Sequence, residues 1–255
     1  MVVKLERRDD LALLTLDRQE ALNALSFAII DEIGASIDQV AGMGVRALLV
    51  TGAGPKAFCA GADIKELRNR PLAAQRAGIE RGQAVFAKLD TLPVASVALI
   101  NGYAFGGGLE LALACTFRLA TRNAKMGLPE IKLGLTPGYG GTQRLPRVIG
   151  EARALEMILT GRTVDADEAH RMGLVNRLVD DDIIAAGIAF AHEFTVYGLP
   201  ALNFARSAVK RAQDMPLAEG LKTEADLGTL AYRTADAEEG MTAFSEKRKP
   251  GFRDA

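Results

Sequence analysis

Short apolar runs alternate with polar segments along the first part of this chain. The runs at 11–16, 45–51 and 94–100 have the length of buried β-strands. Between the first two, Ser26 is placed to cap an amphipathic helix that reaches about Val40. Strands and helices in this alternation are typical of a mixed α/β domain.

Two polar stretches complete the pattern of this part. Residues 2–7 and 11–16 flank the polar turn Arg8-Asp9-Asp10, which predicts a hairpin of short strands. Segment 68–77 is charged and contains a proline, which predicts a mobile surface segment before a helix at about 79–89.

The pattern changes from Glu151 onward, where apolar residues recur at helical spacing. One short strand, at 174–179, interrupts this region. No low-complexity linker precedes it, so we expect the helical part to extend the mixed α/β part as a single functional unit. The predicted helices are 151–160, 166–172, 182–195, 199–212 and 217–233.

A glycine-rich turn follows the 94–100 strand. It contains Gly106-Gly107-Gly108 and, with Glu110, leads into an apolar segment that we predict to be helical. Glycines let the backbone approach a ligand closely, and the free N–H groups of a helix start attract negative charge. The turn therefore resembles half of an active site. The alternative is a tight turn followed by a solvated glutamate.

A second set of small residues occupies positions 58–63, just before another predicted helix. It follows Gly52–Ala57, which matches the G-x-G-x-x-A pattern of dinucleotide-binding proteins. That pattern requires a helix to open at the glycines, and Pro55 and the small residues intervene. We therefore expect a second set of backbone N–H donors here rather than a dinucleotide site.

Composition argues against several classes of function. The 255 residues are 49% apolar and 25% charged with a net charge of −1, so no overall field favours nucleic acid or an anionic membrane. The N-terminal residues lack a signal-peptide core, and no apolar run is long enough to span a membrane. Two cysteines and two histidines argue against a disulfide framework or a His/Cys metal site. We expect a cytoplasmic protein without a metal.

Two carboxylates, Glu110 and Glu130, have apolar neighbours, and Glu130 precedes a second glycine-dense loop at 134–141. Two N–H donors aimed at one oxygen form an oxyanion hole, in which each donor contributes about 3–4 kcal/mol to the transition state. Two carboxylates in different surroundings can divide into acid and base, each worth about 10²–10⁴-fold in rate. Neither histidine has the sequence context of a Ser-His-Asp triad.

The sequence resembles the enoyl-CoA hydratase/isomerase (crotonase) family in six stretches that follow the family's order. Each stretch alone is weak, but the six together run the length of the chain. They are Arg18-Gln19-Glu20-Ala21-Leu22-Asn23-Ala24-Leu25, Phe58-Cys59-Ala60-Gly61-Ala62-Asp63-Ile64-Lys65-Glu66-Leu67, Asn101-Gly102-Tyr103-Ala104-Phe105-Gly106-Gly107-Gly108-Leu109-Glu110, Gly127-Leu128-Pro129-Glu130, Pro137-Gly138-Tyr139-Gly140-Gly141-Thr142-Gln143-Arg144-Leu145, and Glu239-Gly240-Met241-Thr242-Ala243-Phe244 leading to Glu246-Lys247-Arg248.

The resemblance implies an α/β fold built as a spiral of ββα units with a helical C-terminal region. Residues 1–195 would form the spiral core, and residues 196–255 would build the interface of a homo-trimer, often paired into a hexamer. The substrate would be an acyl-CoA thioester, with no cofactor beyond it. The backbone N–H groups of Ala62 and Gly107 would form the oxyanion hole that holds the thioester carbonyl.

The acid–base residues divide this family by reaction. Its hydratases use two glutamates to hold and activate water, and the resemblance assigns these to Glu110 and Glu130, with Gly138 as a backbone position near the water. Its isomerases typically keep only one carboxylate, so the pair favours hydration of 2-enoyl-CoA to 3-hydroxyacyl-CoA. The alternatives are isomerisation, decarboxylation, dehalogenation or carnitinyl-type dehydration, or non-catalytic roles for Glu110 as a helix-capping charge and Glu130 as a solvated residue.

The resemblance also implies the coenzyme A contacts. Glu20 departs from the many relatives that have a basic residue there, so other lysines would bind the phosphates, or the 3′-phosphate would be more solvated. For the lysines, the alternative is an ordinary solvated side chain. The implied contacts are Ala21 and the backbone around Ala60, Asp63 and Ile64 for the adenine, and Lys65 and Lys247 for the phosphates, Lys247 from a neighbouring subunit.

The acyl pocket would lie along residues 67–82, from Leu67, and at Tyr139. A tyrosine at 139, where some relatives have a small residue, either shortens the pocket or donates a hydrogen bond. Cys59 and Cys115 are interpreted as packing residues. An RNA-binding protein that keeps the fold is the alternative from another class, and the absence of a basic cluster argues against it.

Overall fold

The computed structural model describes residues 2–255, which form two compact units. One unit ends at Ala189 and the other spans Phe190–Ala255, so the division falls slightly before the one expected after residue 195. The strands are β1 Val3–Arg8, β2 Leu11–Leu16, β3 Ala47–Gly52, β4 Ala57–Cys59, β5 Ala95–Ile100, β6 Tyr103–Phe105, β7 Phe117–Thr121, β8 Lys125–Gly127, β9 Val164–Asp165 and β10 Arg177–Val179. The helices are α1 Phe27–Val40, α2 Ile64–Leu67, α3 Leu72–Thr91, α4 Gly107–Ala114, α5 Gly141–Ile149, α6 Glu151–Thr160, α7 Ala166–Arg171, α8 Ile183–Thr195, α9 Leu199–Arg211, α10 Leu217–Ala231 and α11 Ala235–Ser245.

The larger sheet has the strand order β1-β2-β3-β5-β7-β10. β1 and β2 form the predicted antiparallel hairpin, and every later neighbour is parallel. β3 lies inside this sheet and is buried at all its positions, as expected for a parallel strand covered on both faces. The sheet thus accounts for the compact apolar runs of the sequence.

A smaller sheet, with the order β4-β6-β8-β9, positions the two turns that are rich in small residues. β4 pairs in parallel with β6, and one turn follows the end of each strand. A Cβ built on Gly106 would lie 3.8 Å from the Cα of Gly61, so the two turns are in contact. The apolar pattern misses β4 and β6 because three-residue strands are too short to show a period of two.

Helix α3 shows that the prediction of a mobile segment at 68–77 is wrong. The helix begins at Leu72 rather than at about 79. Pro71 precedes it with φ −57°, a value compatible with helix entry. The charges that suggested mobility belong to an exposed helix surface, where Arg76 pairs with Glu80 at 2.7 Å.

The other helices begin and end close to their predicted bounds. Ser26 caps α1, because its hydroxyl accepts a hydrogen bond from the N–H of Ile29 at 3.2 Å. The strand predicted at 174–179 is shorter, and the apolar pattern misses the two-residue strand β9 and the helix α11.

The turn that matches the dinucleotide pattern leads into strand β4 rather than into a helix. The side-chain amide of Asn23 holds this turn by donating to the carbonyls of Ala53 at 3.1 Å and Ala57 at 2.8 Å. A strand therefore replaces the helix start that a dinucleotide requires.

The second unit contains α9, α10 and α11. Helix α11 ends at a turn in which Lys247 has φ 57°, a conformation that favours glycine. Arg248 donates its N–H to Ala243 at 3.0 Å and Lys247 donates to Phe244 at 3.2 Å, the hydrogen bonds of a Schellman motif. The guanidinium of Arg248 fixes this turn by binding both carboxylate oxygens of Glu239, at 2.6 and 2.9 Å.

Among residues 2–255, no single helix has both the length and the apolar composition of a membrane span. Helices α8 and α9 meet both criteria only when they are taken together, as a sharply bent pair.

Candidate active site

Glu110 lies in the first turn of α4 and is only 1% exposed. Its Oε1 accepts hydrogen bonds from the backbone N–H groups of Tyr139 at 2.8 Å and Gly141 at 2.7 Å. Burial is the main cause that raises the pKa of Glu110 to about 7; the charge of Glu130 adds to it, and the two N–H groups and Arg144 oppose it. This carboxyl is therefore buried, not a solvated cap, and can exchange a proton near neutral pH.

Glu130 lies in a short 3₁₀ turn, Pro129–Leu133, which Gly134 closes in the left-handed conformation. Its side chain is partly buried, and its Oε2 is fully buried without a hydrogen-bond donor among residues 2–255. Burial raises the pKa of Glu130. Glu130 therefore differs from Glu110, because the only backbone donor that stabilises its ionised form is its own N–H group.

Glycines allow both carboxyls to approach the backbone closely. A Cβ built on Gly106 would lie 2.7 Å from Oε1 of Glu130, and one on Gly141 would lie 3.0 Å from Oε1 of Glu110. Gly106 also has φ 51°, which strongly favours glycine. Gly106 therefore brings the start of α4 close to Glu130, and Gly141 brings the start of α5 close to Glu110.

Ala62, the first predicted oxyanion donor, forms an isolated parallel bridge with Leu25. Leu25 donates its N–H to the carbonyl of Gly61 at 2.8 Å and accepts the N–H of Asp63 at 2.7 Å. In a parallel bridge these bonds leave the N–H of the central residue directed away from its partner strand. No backbone carbonyl within residues 2–255 accepts the N–H of Ala62.

Gly107, the second predicted donor, is the first residue of α4, so its N–H has no acceptor within the helix. The next residue, Gly108, packs against the end of β4, because a Cβ there would collide with the carbonyl of Cys59. Burial raises the pKa of the Cys59 thiol to about 12, as suits a packing residue. The close contact places the start of α4 beside the turn that contains Ala62.

The loop at 137–141 lies between Glu110 and helix α3. The side-chain amide of Gln83 donates to the carbonyl of Gly138 at 2.8 Å, and a Cβ on Gly138 would lie 3.4 Å from Ile79. Gly138 is thus fixed by α3, while the N–H of the next residue, Tyr139, bonds to Glu110. The predicted water-positioning residue therefore lies next to a carboxyl of the site.

Known proteins are similar to this chain over nearly its whole length. The family model described as enoyl-CoA hydratase/isomerase matches residues 6–255. This chain belongs to the enoyl-CoA hydratase/isomerase family.

Individual members of the family are similar over their full length. The crotonyl-CoA hydratase of Syntrophomonas wolfei subsp. wolfei is 40% identical over 253 residues, covering 97% of this chain and 96% of its own. The short-chain-enoyl-CoA hydratase of Clostridium acetobutylicum is 37% identical over 255 residues, covering 98% and 97%. The crystal structure of enoyl-CoA hydratase from Bacillus anthracis matches with a TM-score of 0.95 and 36% identity over all of both chains, which confirms the crotonase fold.

In this member of the enoyl-CoA hydratase/isomerase family, the predicted adenine contacts surround Ala62. The N–H of Ala60 donates to Leu22 at 3.0 Å and that of Asp63 to Leu25, so both groups already have acceptors within the protein. Any contact with the adenine at these two residues must use other atoms. Ala21 is partly buried and Ile64 is 47% exposed.

A basic group lies beside this turn although position 20 is acidic. Arg18 donates to Oδ2 of Asp63 at 2.9 Å, and its Nε is 3.8 Å from Oε1 of Glu20. The hydrogen bond from Arg18 lowers the pKa of Asp63. Lys56, which no sequence motif marks, lines a cavity of about 150 Å³ with Leu22 because the turn at 52–57 folds back on residues 19–23.

The remaining predicted residues lie in helix α2 and in the other unit. Lys65 is exposed and Leu67 partly buried in the short helix α2, and Lys247 is exposed in the second unit. Among residues 2–255, no group of three His, Cys, Asp or Glu side chains is arranged to hold a metal ion. The residues that the first unit brings together are Ala62, Gly107, Glu110, Glu130, Gly138 and Tyr139.

Proposed function

We propose that this chain is an enoyl-CoA hydratase, which reversibly adds water to a 2-enoyl-CoA to give a 3-hydroxyacyl-CoA. The observation that carries the proposal is one site with a buried carboxyl, Glu110, and a partly buried one, Glu130, beside two turns that offer backbone N–H donors. The relatives named crotonyl-CoA hydratase and short-chain-enoyl-CoA hydratase support the same substrate class.

The oxyanion donors make hydration possible without a metal or a redox cofactor. When the oxygen of water bonds to Cβ, the π electrons move through Cα to the thioester oxygen. The N–H groups of Ala62 and Gly107 stabilise the negative charge that develops there, at about 3–4 kcal/mol for each donor. Activity that persists in excess EDTA is the expected result for this part of the proposal.

The surroundings of the carboxyls assign the proton transfers. Glu110 accepts two N–H bonds that stabilise its ionised form, so it takes a proton from the attacking water. Glu130 has a buried oxygen without a donor, which favours its protonated form, so it gives its proton to Cα. The sum of the two transfers is the addition of one water across the double bond.

The coenzyme A moiety would bind at the turn around Ala60, Asp63 and Ile64, with Ala21. The proposed phosphate contacts are Lys65, Lys56 from the cavity beside Leu22, and Lys247 from a neighbouring subunit. Arg18 reduces the unfavourable effect of Glu20 on a nearby phosphate.

The second unit would build a homo-trimer or a dimer of trimers. Its surface carries exposed apolar side chains, which support an interface between copies. A molar mass measured by light scattering tests this assembly. The most exposed of these side chains are Val209, Leu217, Tyr232 and Phe244.

Two free, buried cysteines are consistent with the cytoplasmic location we propose. Fatty-acid β-oxidation is the proposed pathway class.

The proposal is tested by incubating the protein with crotonyl-CoA and following the loss of enoyl-thioester absorbance. We expect hydration to 3-hydroxybutyryl-CoA, identified by mass spectrometry. Product analysis with a panel of acyl-CoA esters separates hydration from isomerisation, decarboxylation and dehalogenation. Absence of hydration for every chain length would reject the proposal.

A further inference from the structure

A salt bridge joins the last turn of α3 to the start of α5. Nη2 of Arg144 lies 2.7 Å from Oδ2 of Asp90. The two side chains are 21% and 36% exposed, and solvent weakens the contribution of such a pair to stability. What the pair does for the site therefore depends on the other contacts of the guanidinium.

The guanidinium of Arg144 folds back over the turn that begins α5. A Cβ built on Gly140 would collide with its Nη1, so the guanidinium lies directly against the backbone at that residue. The same Nη1 donates a long hydrogen bond, 3.4 Å, to the carbonyl of Tyr139. Gly140 also has φ 113°, which favours glycine. The turn and the guanidinium fit together because position 140 has no side chain.

This turn carries both N–H donors to Glu110. The N–H groups of Tyr139 and Gly141 bond to its Oε1 at 2.8 and 2.7 Å. Arg144 packs against the residue between them and bonds to a carbonyl of the same turn. The N–H groups of the turn thus bind the carboxyl, while Arg144 holds the turn through a carbonyl.

Helix α3 supports the turn at two points. Gln83 donates its side-chain amide to the carbonyl of Gly138 at 2.8 Å, and Asp90 fixes Arg144. Positions 83 and 90 are two helical turns apart, so both side chains lie on the same face of α3. A helix positions groups more precisely than a loop does, and α3 is therefore the rigid support of the turn.

The charge of Arg144 acts on Glu110 as well. Burial is the main cause that raises the pKa of Glu110 to about 7; Glu130, from the 3₁₀ turn, adds to it, and Arg144 opposes it. On the neighbouring loop and strand, burial raises the pKa of the Tyr139 phenol and of the Cys59 thiol to about 12, so both stay neutral. The carboxylate that α3 adds is the one paired with Arg144. The guanidinium therefore favours the ionised form of Glu110.

We propose that Arg144, anchored by Asp90 on α3, is a positioning residue that holds the 139–141 turn so that both of its N–H groups stay on Glu110. The inference rests on the proposed hydratase function, in which Glu110 takes a proton from the attacking water. It adds two residues that act on the reaction through Glu110. Asp90 acts only through Arg144.

Loss of the guanidinium should affect the chemical step more than binding. Without it the turn can move, and a displacement of about 1 Å in a catalytic group can cost about 10²-fold in rate. We therefore expect kcat of Arg144→Gln with crotonyl-CoA to fall about 10- to 100-fold, with little change in KM. The acid limb of the pH profile of kcat/KM should move to higher pH, because the lost charge and the loosened N–H bonds both favour the protonated form of Glu110.

The experiment measures kcat, KM and the pH profile of kcat/KM for crotonyl-CoA in wild type, Arg144→Gln, Asp90→Asn and the double variant. Asp90→Asn should lower kcat by a smaller factor, since the guanidinium stays but loses its anchor. The double variant should be no slower than Arg144→Gln, because Asp90 acts through Arg144. Arg144→Lys should return the acid limb toward wild type and recover only part of kcat, because an ammonium keeps the charge but lacks the planar fork.

Lys88→Gln is the matched control. Lys88 lies near the same end of α3, is 37% exposed, and pairs with Asp38 of α1 at 2.5 Å. This variant loses a salt bridge of α3 that does not reach the turn, so kcat and the pH profile should stay as in wild type.

A measurement without turnover tests the positioning directly. The pKa of Glu110, read from ¹³C NMR of labelled glutamate carboxyls, should rise in Arg144→Gln and rise less in Arg144→Lys. Folding of each variant is judged by circular dichroism. If Arg144→Gln does not fold, Arg144→Lys and Asp90→Asn still test the role through their loss of kcat.

The outcomes separate this inference from the function on which it rests. If wild type does not hydrate crotonyl-CoA, the hydratase proposal fails, and an unchanged pKa of Glu110 in folded Arg144→Gln would overturn the positioning role as well. If wild type is active, the positioning role is overturned while the hydratase stands in any of three cases: folded Arg144→Gln keeps kcat and the acid limb, it changes only KM, or the losses of the two single variants multiply in the double variant.

Discussion

Glu110 and Glu130 share one site, yet the chain surrounds them in different ways. Glu110 is almost fully buried and accepts two backbone N–H bonds, whereas Glu130 is less buried and leaves one buried oxygen without a donor. Burial raises the pKa of both carboxyls and is more complete for Glu110. At Glu110 the backbone N–H groups of Tyr139 and Gly141 oppose this effect, because they stabilise a carboxylate and not a carboxylic acid. Two equal side chains can thus take opposite roles through the backbone that faces them.

The proposed proton-donor role of Glu130 predicts the largest effect. Glu130→Gln should lower kcat for crotonyl-CoA by about 10²–10⁴-fold, because an amide cannot deliver a proton. The Kd for butyryl-CoA, measured by calorimetry, should change little. Glu110→Gln should lose turnover to a similar degree. Near-normal kcat in either variant would remove that residue from the acid–base pair.

Glu110 should also make stability depend on pH. Its pKa is raised from 4.5 to about 7 in the folded protein, so the folded state binds more protons than the unfolded state between these values. Stability is therefore lost as pH rises through this window, by up to about 3 kcal/mol.

Glu110→Gln removes this dependence. Its stability relative to wild type, measured by urea unfolding, should rise by about 1–3 kcal/mol between pH 5 and pH 8. The exposed Glu20→Gln is the matched control and should show no such trend. An equal difference at both pH values would mean that Glu110 is not buried as described.

The glycines next to the two carboxyls give a smaller effect. In Gly106→Ala, the new Cβ would lie 2.7 Å from Oε1 of Glu130 and the backbone would keep φ 51°. Displacing the carboxyl should lower kcat about 10- to 100-fold, and the strain should cost about 1–3 kcal/mol of stability. Gly44→Ala is the control, since its φ is 63° but no atom lies within 4 Å of its Cβ position. It should lose stability and keep kcat.

The smallest effect concerns the coupling between the two carboxyls. Because the charge of Glu130 raises the pKa of Glu110, Glu130→Gln should lower that pKa below its value of about 7. Arg144 acts in the opposite direction, so Arg144→Gln should raise it. A ¹³C NMR titration of labelled glutamate carboxyls measures both changes. Shifts of the same sign in the two variants would contradict this electrostatic account.

Much of this organisation follows from the sequence, because long elements carry a clear period. The apolar runs predict β2, β3 and β5, and Ser26 predicts the start of α1. The short strands β4 and β6 escape this approach, although they set the position of both donor turns. The predicted start of α3 is wrong, because the charged residues on its exposed surface resemble the composition of an irregular segment.

The candidate site divides in the same way. Residue type and order single out Glu110, Glu130 and the two turns of small residues, and the family resemblance assigns Ala62 and Gly107 within those turns as predicted donors. The sequence does not show that Glu110 accepts two N–H groups from a distant part of the chain, because those contacts join the start of α4 with a loop some thirty positions away. The surroundings of Lys56 are not predictable for the same reason, since they depend on the turn at 52–57 folding back on residues 19–23.

Each of the three consecutive glycines at 106–108 excludes a side chain for a different structural reason. Position 106 excludes a side chain because of Glu130 and its backbone angle, position 107 because of Tyr139, and position 108 because of a carbonyl at the end of β4. During evolution, the first can therefore change only together with the chemistry of the site. The second can change only together with the ring of Tyr139, whereas the third is tied to the protein's ability to accumulate as a folded product.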